Sequence, residues 1–180
     1  GVWIMAYTAI DDPEAYFQAK IYTGDGEDSL AITLDGDTDM QPDMIWIKNR
    51  SADEDHAVFD SVRGKSGAVY YKLRPNATTV GDADATGMST IGSDGFTVKS
   101  NDQVNGDGDS MVAWCWKASG STASNSSGDI TSTVSASTVS GFSIVSYTGN
   151  GSDGATLGHS LGTTPEMVIQ KRRAGATASW

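Results

Sequence analysis

Trp46, Trp114 and Trp116 offer large aromatic faces of the kind that stack on sugar rings. Trp114 and Trp116 stand two residues apart, so on a strand they share a face, which suits either a sandwich core or a glycan platform. Asn105, Asp107 and Asp109 set three oxygen-bearing side chains at alternate positions, the opening of many calcium loops. The rest of that stretch departs from an EF-hand, whose sixth and twelfth positions would be Gly and Glu and here are Ser110 and Trp116. A polar turn ahead of the next strand therefore competes with calcium binding.

Asp53, Glu54, Asp55 and His56, followed by Asp60 and Ser61, supply the residue types of a hydrolytic site. A triad is defined by roles in space, and alternation along a strand sends neighbouring side chains to opposite faces. An acidic loop leading into a half-buried strand accounts for them better. Asp11, Asp12 and Glu14 are too closely spaced to flank a sugar as acid and base, and with Pro13 they read as the cap of a short helix. Cys115 is the only cysteine, which rules out an intrachain disulfide. It lies within Met111-Val112-Ala113-Trp114-Cys115-Trp116 with no sequence neighbour to lower its pKa, so a small buried hydrophobe is expected. No catalytic residue is assigned.

The elements that must position these groups are strands. Short apolar clusters at residues 17–22, 29–34, 44–48, 57–59, 68–71, 95–98 and 111–116 are each bounded by Gly, Asp, Asn or Ser, and helical periodicity is absent. Met44-Ile45-Trp46-Ile47 is apolar at every position, as in a central strand covered on both faces. Residues 74–94 read as a long polar loop with room for one edge strand, and long loops on sandwiches often carry binding. Residues 119–129 are a flexible Ser/Gly-rich linker by composition.

With 12 Lys and Arg against 23 Asp and Glu, the net charge of -11 argues against nucleic acid as a partner, because phosphates demand a basic face. No stretch approaches the length of a membrane-spanning helix. Gly1 to Met5 is apolar but too short, and without the basic leader, to be a secretory signal, and Met5 is a candidate natural start.

The chain repeats itself. Phe17-x4-Tyr22-Thr23-Gly24-Asp25-Gly26 recurs as Phe142-x4-Tyr147-Thr148-Gly149-Asn150-Gly151, and Pro42-Asp43-Met44-Ile45-Trp46-Ile47-Lys48-Asn49-Arg50 recurs as Pro165-Glu166-Met167-Val168-Ile169-Gln170-Lys171-Arg172-Arg173. Apolar residues, turn glycines and the strand-initiating proline return in order, which points to duplication. The organisation expected is an N-terminal segment with a short helix over residues 1–16, a first β-sandwich module over 17–118, the linker over 119–129, and the start of a second, incomplete module over 130–180.

These motifs resemble a family of repeat modules in structural and fibre proteins of marine tailed bacteriophages. The resemblance is carried by Met5-Ala6-Tyr7-Thr8-x-Ile10-Asp11, the Tyr22 and Pro42 motifs, Phe59-Asp60-Ser61-x-Arg63-Gly64, Asp94-Gly95-Phe96, Val104-Asn105-x-Asp107-Gly108-Asp109 and Val112-Ala113-Trp114-x-Trp116-Lys117. It implies an antiparallel jelly-roll β-sandwich, similar to concanavalin-like lectins, and a non-enzymatic place on a tail fibre or capsid surface. The expected partners are other virion proteins and further copies of the chain, with a trimer as the analogy from fibres. A host-surface glycan is the alternative partner, met by the loops at residues 35–39, 74–94 and 101–109; a polysaccharide depolymerase is the remaining one. Asn76-Ala77-Thr78 matches a glycosylation acceptor that would be silent in a bacterial host.

Overall fold

A computed structural model describes residues 10–175, so the Met5 to Thr8 part of the N-terminal motif lies outside the described residues. The chain is all-β and built from antiparallel sheets. Asp12 caps a single 3-10 turn, Pro13–Ala15, through its carboxylate on the Glu14 amide. The proline needs no amide partner at that position. Strands β1 (Phe17–Thr23), β3 (Met44–Asn49), β4 (Ala57–Asp60) and β9 (Ser110–Trp116) form a four-stranded sheet in the order β1-β9-β3-β4. Strands β2 (Leu30–Thr33), β7 (Met88–Gly92) and β8 (Gly95–Val98) form a second sheet, β2-β8-β7, while β5 (Lys65–Ser66) and β6 (Val69–Tyr70) make a small hairpin.

The sandwich arises from alternation. Along β3 and β9 every second residue is buried, so Ile45, Ile47, Met111, Ala113 and Cys115 point to one face, where they meet Ile32, Phe96, Val98 and Met88 of the other sheet. Tyr22 and Phe96 join the two sheets edge to face, with ring centroids 6.2 Å apart. A single helical turn, α1 (Asp102–Asn105), is capped by Asn101 and closes one end, inserting Val104 into the core. Cys115 is fully buried, as its position in an apolar run suggests, and burial pushes its thiol pKa up to about 12.

Strand order in the larger sheet does not run with chain order. The last strand of the module, β9, lies between the two early strands β1 and β3, pairing Phe17 with Trp116 on one side and Met44 with Trp116 on the other. Neither early strand is complete without it.

After β9 comes a three-stranded sheet, β10-β11-β12, made of β10 (Ala123–Asn125), β11 (Ser132–Ser137) and β12 (Phe142–Tyr147). Strand β10 lies inside the stretch whose composition suggests a flexible linker; its backbone pairs with β11, from Ala123 opposite Val134 to Asn125 opposite Ser132, a ladder that small polar side chains do not hinder. β12 occupies the place in the repeat that β1 holds in the first copy. Residues 165–173, the counterpart of β3, carry no strand. The sequence pattern expects one there, and the physical reason for its absence is that β3 is held by β9 and β4, whose equivalents do not occur between Phe142 and Gly175.

Candidate functional site

The three tryptophans come together on one face. Across the sheet the register sets Phe17, Trp116, Met44 and Asp60 in one row, and Ala19, Trp114, Trp46 and Val58 in the next. Because the core side of β3 and β9 is taken by Ile45, Ile47, Met111, Ala113 and Cys115, all three tryptophans project from the opposite face and are half-buried there. The core reading of Trp114 and Trp116 is thereby corrected: the pair does share a face, but that face looks away from the second sheet.

Trp116 is enclosed, tilted against Phe17 at 5.0 Å on one side and stacked on Phe142 at 6.2 Å on the other. Trp46 and Trp114 meet edge to face at 6.4 Å. The Trp46 indole N–H donates to His56 Nδ1 at 2.8 Å, which leaves that nitrogen an acceptor. Burial, reinforced by the Lys48 charge and opposed by Asp55, lowers the His56 pKa, so the imidazole is neutral near pH 7. Phe17 is 42% and Ile21 63% exposed, and together with half-buried Val112 they extend the apolar strip to the sheet edge.

The remaining candidates are drawn apart. Asn105 is buried, its amide donating to the Asp25 carboxylate and the Glu27 carbonyl at 2.9 Å each, while its side-chain oxygen accepts from the Asp25 amide. Asp109 accepts from the Asn49 side chain at 2.8 Å, and Asp107 is exposed. Asn105 and Asp109 are thus taken up by different partners, and among the described residues no group of three His, Cys, Asp or Glu is placed to hold a metal ion. The segment acts as a turn, with the Asp109 amide on the Gly106 carbonyl at 3.0 Å.

The hydrolytic residue types are likewise occupied separately. Asp60 accepts from the Val62 and Arg63 amides and pairs with the Arg63 guanidinium. The Ser61 hydroxyl donates to Asp43 at 2.8 Å, and the Asn76 side chain bridges the Asp55 carboxylate and the His56 amide. Asp12 and Glu14 hold Thr38 and the Asp37 amide, which fixes the loop at residues 35–39 beside the 3-10 turn. The loops at residues 74–94 and 101–109 meet where Asn101 donates to Asp84, while Asp94, at the far end of the 74–94 segment, accepts from the Met40 amide beside the loop at 35–39.

Two polar clusters escape a sequence reading. Lys72 is 1% exposed, its ammonium held by Gln103 Oε1 at 2.6 Å and Asp84 Oδ2 at 3.1 Å. Asp84 also accepts from Thr86 and Asn101. Its partial burial raises the carboxyl pKa, but the hydrogen bonds from Thr86 and the Lys72 charge outweigh this and bring it to about 2. The sequence signal is weak: a lysine between Tyr71 and Leu73 looks like an exposed strand position. Asp43 is fully buried and accepts from the Ala118 and Gly120 amides at 2.8 and 2.9 Å, clamping the chain as it leaves β9. Here a signal exists, because Pro42-Asp43 recurs as Pro165-Glu166.

Fold and site together define an all-β sandwich protein with an outward aromatic strip. Within that class the chain belongs to a family described as a domain of unknown function, DUF7483, whose match runs over residues 12–180. No curated protein and no solved structure matches it. No helix among the described residues is long and apolar enough to cross a membrane.

Proposed function

We propose that the chain is a non-enzymatic structural component of a tailed-phage virion, part of a tail fibre or other surface appendage, that presents jelly-roll β-sandwich modules for assembly with other virion proteins or for host attachment. The observation that supports this reading most is the duplication: Phe142–Tyr147 returns as a strand in the place of Phe17–Thr23, joined to the first module through the Trp116–Phe142 stack and the Asp43 clamp. Modules in series, joined by short packed junctions, make a rigid extended scaffold. The side chains with catalytic potential are spent on capping, loop and ion-pair contacts, which favours a scaffold over a depolymerase. Fibres are closed homo-oligomers as a rule, and a trimer is the expected state. Mass spectrometry of purified particles, followed by cryo-electron microscopy of the appendage, tests the proposal. The chain is expected at a surface position, and its absence from particles overturns the reading.

A second reading, a lectin-like adhesin, is favoured by the outward tryptophans. Trp46 and Trp114 would meet a sugar face, with Phe17 and Ile21 at the rim. A glycan array read with wild type and Trp114→Ala checks it: binding lost in the variant supports the platform, and no binding to any glycan removes it.

A further inference from the structure

We propose that the hydrogen bond between Trp46 and His56 is a proton-operated latch, which fixes the outward aromatic face in neutral solution and releases the Trp46 ring in mild acid. The chemistry of the two rings sets the direction of the bond. An indole nitrogen can only donate, so the 2.8 Å contact between Trp46 Nε1 and His56 Nδ1 exists only while Nδ1 keeps its lone pair. A second proton on the imidazole puts two N–H groups head to head. Turning the ring over brings no acceptor either, because both nitrogens of the imidazolium donate. Protonation of His56 therefore breaks the contact.

The two backbones stay where they are when that happens. The His56 amide donates to Asn76 Oδ1 at 3.0 Å, and the Asn76 side chain donates in turn to Asp55 Oδ1 at 2.7 Å. Trp46 lies within the sheet, opposite Val58 on one side and Trp114 on the other. Its ring meets His56 edge to face at 5.8 Å and Trp114 edge to face at 6.4 Å. Both rings lie on the outward face, so the movement is confined to side chains there.

The charged groups around His56 come from several segments. β3 brings Lys48, whose ammonium rests on the Glu54 carbonyl at 2.8 Å and the Ala52 carbonyl at 3.3 Å. The loop before β4 brings Asp55, with Asp53 and Glu54 ahead of it. Arg74 lies 3.7 Å from the Asp55 carboxylate and is paired with Asp82, and Lys171 donates to the Ala77 carbonyl nearby. β9 faces the site with Trp114, which carries no charge. Burial and the Lys48 charge oppose the imidazolium more than Asp55 favours it, so His56 takes its proton below the ordinary value of 6.5. An unfolded chain binds that proton first as the pH falls, so the neutral latch stabilises the fold above about pH 6.5 and this advantage is lost on acidification. The latch operates without a ligand. It lies on the face that the adhesin reading gives to a sugar, and where that reading holds, affinity falls in mild acid along with the latch.

Nitrogen-15 NMR of the full chain between about pH 8 and 4 tests this. The chain has five tryptophans, and the Trp46 indole signal is the one lost in Trp46→Phe. That signal is expected to shift with the same midpoint as the His56 ring nitrogens. Its N–H should exchange with solvent about fivefold faster or more on the acid side than in His56→Gln at the same pH, the effect of losing one hydrogen bond. Gln offers an acceptor and does not titrate, so in His56→Gln the indole signal should stay in place across the range. Trp46→Phe removes the donor that favours the neutral ring and should move the His56 titration upward, a second reading that does not need His56→Gln to fold. An indole signal that ignores the His56 titration, the same shift in His56→Gln, a His56 ring neutral down to about pH 4, or a titration left unmoved by Trp46→Phe overturns the latch. All of these are read without a sugar, so a blank glycan array and a failed latch are separate results.

Discussion

Strands β1 and β12 begin from the same residues and end in different physical states. In β1 burial alternates, with Gln18 and Tyr22 inside and Phe17, Ala19 and Ile21 outside; in β12 all six residues are half-buried. The pattern of residues is preserved, yet β1 pairs with β9 and packs through Tyr22 onto Phe96 of the second sheet, whereas β12 pairs with β11 in a sheet of small polar strands. The difference teaches that the Phe-x4-Tyr-Thr-Gly motif specifies a strand locally, while the in-out polarity of that strand is conferred by distant partners. Residues 44–48 and 167–171 make the same point more sharply, because the first lie between β9 and β4 while the second carry no strand and pair with none among the described residues.

Core truncation should separate the copies most. Ile45→Ala removes a fully buried side chain between the sheets and is expected to cost about 2–5 kcal/mol. Val168→Ala, at the matching position, acts on a residue that is 76% exposed and should change stability by less than about 0.5 kcal/mol. Urea unfolding of both variants measures the contrast, and equal losses would mean that residues 165–173 are packed in solution.

Turn glycines give the next largest contrast. Gly24→Ala forces a methyl group onto the Gly106 carbonyl and should destabilise by roughly 1–3 kcal/mol, whereas Gly149→Ala should be neutral to within about 0.5 kcal/mol. Thermal melts of the pair suffice. A third contrast appears in acid, because the first module has a buried lysine tied to a carboxylate. Folding lowers the Asp84 pKa to about 2 from an unfolded value near 3.8. Its contribution, on the order of 2 kcal/mol at most, is therefore complete above about pH 4 and is lost as the pH falls towards 2. Hydrogen exchange between pH 5 and 2 should show residues 72–86 opening with that profile; a flat profile would mean that the Lys72–Asp84 contact is not formed.

Much of this architecture is legible in the residues. Alternation locates β1, β3, β8, β9 and β12 to within a residue or two, since each has apolar positions bounded by turn chemistry. Strands β10 and β11 are harder, being mostly Ser, Thr and Ala, whose place in a ladder depends on backbone pairing and not on side-chain burial. β7 is the one edge strand for which residues 74–94 leave room, faint in the sequence because Met88 and Ile91 are its only large apolar residues. For the candidate site, period two correctly puts Trp114 and Trp116 on one face. It does not say which face, because both faces of β9 are apolar and the choice is made by the sheet that covers one of them.

The smallest contrast tests that covering directly. The Tyr22 hydroxyl is buried and donates to the Val104 carbonyl at 2.6 Å, with burial, and the neighbouring Cys115 thiol to a lesser degree, raising its pKa above that of an ordinary phenol. Tyr147 holds the same place in the repeat, but its hydroxyl accepts from the exposed Gln170 side chain. Tyr22→Phe leaves a buried carbonyl without its donor and should cost about 1 kcal/mol; Tyr147→Phe, whose partner can turn to water, should cost nothing measurable. Alkaline titration of the ultraviolet phenolate band in single-tyrosine-to-phenylalanine variants gives the second reading. Removing Tyr22 should delete a phenol that titrates only as the protein unfolds. The Tyr147→Phe variant should keep that unfolding-linked phase. If the two behave alike, β1 and β12 share one environment, and the difference in their burial would be wrong.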